Sequence, residues 1–274
     1  MRVALVQNHP VFGEKKANVE SLIALMDSAA LTDAEARTSS APIDLYILPE
    51  LSYSGYQFVS VEEAADLADP LESESINAFR KTSRQLDAGI VFGFPEKAAD
   101  GRLYNSSLAI LPDGREYLYR KTHLFYKERL FFAPGDLGFT LFEFRGTKVG
   151  MAICFDWFFP ESFRTLALAG ADIIAHCSNL VMPSCQQADF AQALQNRVYI
   201  ATANRVGTEA REAEALTFTG ESVLVSPKGE YLLRGPKTEE AVLVADIDPS
   251  LARNKRINAM NDVFAERRPE FYST

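Results

Sequence analysis

Cysteine and histidine are in short supply in this sequence. Its 274 residues contain three cysteines, Cys154, Cys177 and Cys185, and three histidines. The number of cysteines is odd and no pair has the C-x-x-C spacing of a zinc or redox motif, so we predict neither a disulfide framework nor a metal cluster. We therefore expect reduced thiols and no bound metal.

Long apolar runs and an excess of basic residues are also missing. No stretch approaches the roughly 18 uncharged apolar residues of a membrane span, and the first ten residues lack the apolar segment of a signal peptide. Lys and Arg total 28 against 37 Asp and Glu, which gives a net charge of −9 and opposes binding to a phosphate backbone. We expect a cytoplasmic protein with neither a membrane nor a nucleic-acid partner.

Short apolar runs do alternate with amphipathic segments along the whole chain. The apolar runs predict strands, and the segments with a helical period predict helices. The strands are predicted at residues 2–7, 44–48, 90–94, 103–111, 116–121, 140–144, 148–154, 172–176, 200–206, 222–225, 231–233 and 241–247. The helices are predicted at residues 14–30, 61–68, 73–86, 161–169 and 187–199, with a short one from 249. The polar residues 32–42 are predicted to form a surface loop.

The arrangement of these elements indicates one layered domain. Asp113 and Gly114 form a hairpin signal between two strands, so the predicted sheets contain antiparallel as well as parallel pairs. No linker divides the chain, and we predict a single domain over residues 1–274, with residues 249–274 as a C-terminal arm. The fold class is α/β, with two mixed sheets packed together and helices outside. A doubly wound sheet is the alternative that the pattern leaves open.

Cys154 occupies the most informative position in the sequence. It ends the predicted strand 148–154, and Pro160 and Glu161 then suit the first turn of a helix. Reactive groups collect at the carboxyl ends of strands in α/β sheets, so this thiol is a candidate nucleophile. The alternative is a buried cysteine that serves as a small apolar side chain.

A cysteine nucleophile requires a base or a cation beside it. Glu50 and Lys121 also stand at the ends of predicted strands. Near Cys154, Glu50 would take its proton and Lys121 would favour the thiolate. Alone, each is more typical of a solvated charge. A Cys-His pair is the second possibility, and nothing in the sequence distinguishes among the three histidines, His9, His123 and His176.

Three motifs together resemble the nitrilase superfamily of carbon-nitrogen hydrolases. They are LPELSYSGY around Glu50, YRKTHLF around Lys121 and GMAICFDWFFPES around Cys154, and they occur in the family's order. The likeness continues through GADIIAHCSNLVMP and ALQNRVYIATANRVG, so it covers nearly the whole chain. It implies an α-β-β-α sandwich that associates as a homodimer or a larger homo-oligomer, and it requires no cofactor.

The resemblance also implies roles for individual residues. Glu50 would be the general base, Lys121 the group that stabilises the transition state, and Cys154 the nucleophile that forms a thioester. Glu128, in FYKERLFF, resembles the second glutamate of the family; the alternative is a solvated loop charge. The backbone N–H of Phe155 would help to hold the oxyanion.

The substrate contacts are predicted more broadly. Tyr56, Trp157 and Asn179 are candidates for lining the pocket. Aromatic core packing is the alternative for the first two, and is favoured for Trp157, and a turn is the alternative for the third. The expected substrate is a small aliphatic amide. A nitrile or an N-carbamoyl amine uses the same residues, as does acyl transfer to an acceptor other than water. A catalytically idle binding or assembly protein is the alternative from another class.

Overall fold

The computed structural model describes residues 1–36 and 42–272. Its strands are β1 Arg2–Gln7, β2 Leu45–Ile47, β3 Gly89–Lys97, β4 Leu103–Ile110, β5 Glu116–Arg120, β6 Leu141–Phe144, β7 Thr147–Ile153, β8 Ile173–Cys177, β9 Tyr199–Ala203, β10 Thr208–Arg211, β11 Glu214–Thr217, β12 Val223–Val225, β13 Tyr231–Arg234 and β14 Ala241–Asp246. Its α-helices are α1 Lys15–Ala36, α2 Val61–Leu67, α3 Glu74–Leu86, α4 Pro160–Leu168, α5 Cys185–Asn196 and α6 Ser250–Arg253.

Two six-stranded mixed sheets form the centre of the domain. The first has the order β14-β1-β2-β3-β4-β5 and the second the order β13-β12-β9-β8-β7-β6. The strands β1, β2 and β3 are parallel, as are β7, β8 and β9, and antiparallel strands flank each set. The prediction of two mixed sheets with helices outside is confirmed, and the doubly wound alternative is wrong.

Alternating side chains explain why the first sheet is covered on both faces. Val3 and Leu5 of β1 belong to the core shared with the second sheet, whereas Ala4 and Val6 pack with residues of α1 and α3 on the outer face. Because successive strand residues point to opposite faces, a continuous apolar run is what a doubly covered strand requires. The result is an α-β-β-α sandwich.

Local signals explain where several helices begin. Ser60 accepts from the Glu63 N–H at the start of α2, and Ser73 accepts from the Ile76 N–H at the start of α3. The helix α4 begins at Pro160, one residue before the predicted start, because proline suits the first helical position. None of the helices in the described ranges combines the length and the apolar content that crossing a membrane requires.

The structure differs from the predicted elements in two places. The prediction of a loop at residues 32–42 is wrong at its start, because α1 continues to Ala36. Residues 37–41 of that predicted loop lie outside the described residues. The antiparallel hairpin of β10 and β11 was not predicted; its short strands carry no long apolar run. The assignment of residues 249–274 to a C-terminal arm stays a prediction. The helix α6 lies within these residues.

Candidate active site

Glu50 lies just beyond β2 and is completely buried. Its Oε1 accepts hydrogen bonds from Lys121 Nζ at 2.6 Å and from Asn105 Nδ2 at 2.7 Å. Its Oε2 has no partner among the described residues. A buried carboxylate oxygen without a partner is costly unless a ligand or water meets it, so this atom is available to a reacting group.

Lys121 directly follows β5, and backbone hydrogen bonds hold it on both sides. Its N–H donates to Asn105 O at 2.8 Å, and its carbonyl accepts from Gly135 N at 2.8 Å. The buried Nζ donates to Glu50 and, at 2.7 Å, to Oε1 of Glu128. Burial opposes the charge, but Glu128 and Glu50 outweigh it and raise the pKa of Lys121 above its usual value. The two carboxylates therefore favour the charged form of this lysine.

Glu128 is held in a 3₁₀ helix, Tyr126–Leu130, inside the long loop after β5. Its Oε1 also accepts from Tyr56 OH at 2.7 Å, and its Oε2 accepts from Phe125 N at 3.3 Å. Burial raises the pKa of Glu128 to about 7, although Lys121 counteracts it. The solvated-charge interpretation of Glu128 is wrong, since the side chain is 4% exposed.

Cys154 begins a second 3₁₀ helix, Cys154–Phe158, immediately after β7. Its backbone has φ of 38°, in the left-handed region that few side chains adopt, and its thiol donates to Asn179 O at 3.8 Å. Burial and then the charge of Glu50 raise the pKa of Cys154 well above its usual value, and Lys121 offsets this only in part. Lys121 thus favours the thiolate, as expected, but burial and Glu50 outweigh it.

Asp156 supports the turn at Cys154 and was not identified in the sequence. Its Oδ2 accepts from Ile153 N at 2.9 Å and from Tyr119 OH at 2.7 Å, and its Oδ1 lies 2.8 Å from His123 Nδ1. The side chain is completely buried. The only sequence signal was a carboxylate within an aromatic segment, where burial demands partners.

The four predicted substrate contacts do not share one environment. Tyr56 reaches Glu128, as described above, and Phe155 lies in an aromatic group with Phe125 at 5.1 Å between ring centres. Asn179 meets Cys154 through its backbone, while both polar atoms of its buried amide have no partner among the described residues. Trp157 packs in the large apolar core that combines residues of both sheets with residues of α4 and α5. No described contact joins it to the two glutamates or Lys121.

Tyr56 is positioned by an ion pair that was also not predicted. Glu209 accepts from Tyr56 N at 3.1 Å and from Gln57 N at 2.8 Å, and it is bound in turn by the buried Arg205. The guanidinium of Arg205 lies 4.0 Å from the ring centre of Phe218. Because Glu209 lies on β10, the unpredicted hairpin helps to build the site. Residues of this hairpin also line a small cavity with Tyr56 and Glu128.

None of the three histidines, all of which the structure describes, hydrogen-bonds the Cys154 thiol. His123 contacts Asp156, His176 contacts the carbonyl oxygen of Cys154, and His9 is exposed. His176, Cys185 and Asp189 place their ligand atoms within 4.8 Å of one another, the kind of group that holds a metal. Each is already engaged in a hydrogen bond.

Fold and site together define a class of protein, the α-β-β-α sandwich with a buried cysteine beside a Glu-Lys-Glu cluster. The family model of carbon-nitrogen hydrolases matches residues 2–257. The chain belongs to this family, within the nitrilase superfamily, and is a carbon-nitrogen hydrolase.

Known proteins resemble it over most of its length. It is 46% identical over 273 residues to a nitrilase of Pyrococcus abyssi, with 99% of each chain covered. It is 34% identical to an (R)-stereoselective amidase of a Pseudomonas species, over 82% of this chain and 81% of that one. The crystal structure of a carbon-nitrogen hydrolase from Helicobacter pylori G27 superimposes with a TM-score of 0.87 at 25% identity, covering 99% of this chain and 96% of that one.

Proposed function

We propose that this enzyme hydrolyses a small aliphatic amide to a carboxylic acid and ammonia through a thioester on Cys154. The observation that carries the proposal is the Nζ of Lys121, which hydrogen-bonds Glu50 and Glu128 at once in a buried site. The free Oε2 of Glu50 supports the role of this residue as the base. The electrostatic effects of Glu50, Lys121 and Glu128 on the Cys154 pKa support a site that includes the thiol.

The first half-reaction forms the thioester. Glu50 takes the thiol proton as the sulfur of Cys154 attacks the carbonyl carbon, and the oxygen becomes negative. Lys121 and the Phe155 N–H stabilise that charge. Glu50 then gives its proton to the nitrogen of the leaving group, the C–N bond breaks and ammonia departs. The raised pKa of Cys154 fits this sequence, because transfer of the thiol proton to Glu50 accompanies the attack.

The second half-reaction returns the enzyme to its starting state. Glu50 removes a proton from water, whose oxygen attacks the thioester carbon, and the sulfur leaves and regains a proton from Glu50. The carboxylic acid is released. Glu128 orients Lys121 throughout and binds the substrate amine. Every proton in this scheme moves through a residue of the chain.

The substrate class follows from the surroundings of the site. The cavity beside Tyr56 and Glu128 is lined mainly by aromatic and apolar side chains. Lys127 also lines this cavity, and Lys121, the cation that contacts Glu128 from outside the cavity lining, already faces two carboxylates. Such an environment favours a neutral, small substrate over one that carries its own carboxylate. Nitriles and N-carbamoyl amines fit the same residues and are the alternative substrates.

The exposed face of the outer helices supports a homodimer as part of this proposal. Leu168 on α4 and Leu194 on α5 are 43% and 41% exposed, and Phe190 on α5 is 37% exposed. Exposed large apolar side chains on two helices that contact each other are typical of an interface between protein copies. Light scattering of the purified protein measures this state directly.

The test compares Cys154→Ala with Cys177→Ala as the matched control, because both thiols are buried. Ammonia release from a panel of amides, nitriles and N-carbamoyl amines is measured for each variant. We expect Cys154→Ala to lose all hydrolysis and Cys177→Ala to keep it. Mass spectrometry of the wild type with substrate is expected to show an acyl group on Cys154. If no compound releases ammonia, the result favours the binding or assembly alternative. Formation of a hydroxamate when hydroxylamine is added would reveal acyl transfer to an acceptor other than water.

A further inference from the structure

His176 lies directly behind Cys154, on the neighbouring strand. It is completely buried near the end of β8, which pairs in parallel with β7 and β9. Its Nε2 lies 2.9 Å from the carbonyl oxygen of Cys154, and its Nδ1 lies 2.9 Å from Thr202 Oγ1. The imidazole thus connects the backbone of the proposed nucleophile to the interior of the second sheet.

The hydrogen bonds of His176 restrict where its protons lie. A carbonyl oxygen can only accept, so Nε2 must carry a hydrogen. The hydroxyl of Ser178, 3.1 Å from Nε2, can accept from the same N–H. Nε2–H is therefore common to every arrangement that satisfies the contact with Cys154.

On the other side of the ring, Thr202 has one hydroxyl proton for two partners. Its Oγ1 lies 2.6 Å from Asp189 Oδ2 and also meets Nδ1 of His176. In the first arrangement Asp189 is protonated and donates to Thr202, whose hydroxyl donates to Nδ1 of a neutral His176. In the second, the Thr202 hydroxyl donates to an ionised Asp189, and His176 is an imidazolium whose Nδ1–H donates to Thr202. Both arrangements leave the His176–Asp189 pair without net charge, and both require Nε2–H.

Burial favours the neutral arrangement. It lowers the pKa of His176 to about 4 and raises that of Asp189 to about 7. The second oxygen of Asp189 is 3.9 Å from the thiol of Cys185 on the same helix. The chain of donors then runs from Asp189 through Thr202 and His176 to the carbonyl of Cys154.

This chain acts on the peptide group between Cys154 and Phe155. In a trans peptide the C=O and N–H bonds point in opposite directions, so fixing the oxygen also fixes the direction of the Phe155 N–H. That N–H lies in the first turn of the 3₁₀ helix, where backbone donors have no partner within the helix. A hydrogen bond to the carbonyl also polarises the peptide and strengthens its N–H as a donor.

We propose that His176, held by Thr202 and Asp189, is a positioning residue that aims the Phe155 N–H at the oxyanion. The proposal rests on the proposed thioester mechanism. His176 touches neither the substrate nor the thiol in this scheme. It acts on the transition state only through the peptide group between Cys154 and Phe155. The same hydrogen bond helps to hold the main chain at Cys154, whose φ is strained.

Two substitutions at His176 separate the hydrogen bond from packing. His176→Leu fills the space without a donor, whereas His176→Gln keeps an amide N–H for the carbonyl and an oxygen for Thr202. We expect His176→Leu to lower kcat by about 10- to 100-fold with little change in KM, because the oxyanion exists only after binding. His176→Gln is expected to recover most of the loss. Asp189→Asn, whose amide N–H can still donate to Thr202, is expected to lose less activity than His176→Leu.

The wild-type enzyme provides a readout that does not depend on the variants. Labelling the three histidines with ¹⁵N allows the protonation of each ring nitrogen to be read by NMR, and the substitutions assign His176. We expect a protonated Nε2. An unprotonated Nε2, a folded His176→Leu with wild-type kcat, or equal losses in folded His176→Gln and His176→Leu would overturn the proposal. If the wild type forms no acyl-enzyme, the failure belongs to the proposed function instead.

Discussion

Lys121 and Glu50 form an ion pair in which Nζ lies 2.6 Å from Oε1 and neither side chain is exposed to solvent. Desolvating these charges costs free energy that their attraction returns only when every partner is in place. Glu128 completes the arrangement, with its Oε1 2.7 Å from the same ammonium. The three side chains therefore depend on one another for stability as well as for the proposed chemistry.

Removing the cation is predicted to destabilise the fold. Lys121→Met leaves the carboxylates of Glu50 and Glu128 buried without a counter-charge, and we expect the free energy of unfolding to fall by about 3–5 kcal/mol. Denaturant titration at pH 8 measures this change. The double variant Glu50→Gln/Lys121→Met is expected to regain part of the stability but no activity. Equal stability of Lys121→Met and the wild type would contradict the prediction.

Neutralising Glu50 is predicted to have opposite effects on thiol ionisation and on hydrolysis. The charge of Glu50 is the largest influence after burial that raises the pKa of Cys154, so Glu50→Gln lowers that pKa. The pH at which iodoacetamide alkylates Cys154 at half its maximal rate is expected to shift downwards. Ammonia release is expected to fall by at least about 100-fold, because the base is lost. Glu143→Gln, which removes an exposed carboxylate, is the control. An upward shift would contradict this account.

The glycine beside Glu50 is predicted to be essential for activity. A Cβ at Gly93 would lie 2.5 Å from the Cα of Glu50, and a backbone atom cannot move aside as a side chain can. Gly93→Ala is expected to displace the carboxylate and to lower kcat by about 100-fold. Gly89→Ala on the same strand is the control, since its Cβ would meet only side chains, the nearest at 3.1 Å. Similar activity in the two variants would refute the prediction.

The stability of the enzyme is predicted to depend on pH through Glu128. Its pKa of about 7 in the folded protein lies above the roughly 4.3 of an unfolded glutamate, so between these values the folded state holds a proton that the unfolded state has lost. The contribution of Glu128 to the free energy of unfolding therefore falls as pH rises from about 4.3 to 7. Unfolding titrations across this range are expected to show a smaller decline for Glu128→Gln than for the wild type. Parallel curves would contradict the prediction.

Sequence patterns predicted most of the fold because strands buried on both faces leave continuous apolar runs, as in β1 and β8. The motifs identified the four site residues Glu50, Lys121, Glu128 and Cys154. In the structure both glutamates hydrogen-bond Lys121, and the buried thiol of Cys154 donates to the carbonyl oxygen of Asn179. The supporting polar residues were not found. Asp156 and the Arg205–Glu209 pair owe their burial to distant parts of the chain, which no local period reveals.

The left-handed backbone of Cys154 limits which other nucleophiles this turn can present. At a φ of 38° a side chain that branches at Cβ clashes with its own main chain, whereas an unbranched one is tolerated. Serine therefore fits the position and threonine does not. Of the two aliphatic hydroxyl side chains, serine is thus the one open to a redesign of this enzyme as an alcohol-based hydrolase, and the constraint comes from the path of the chain.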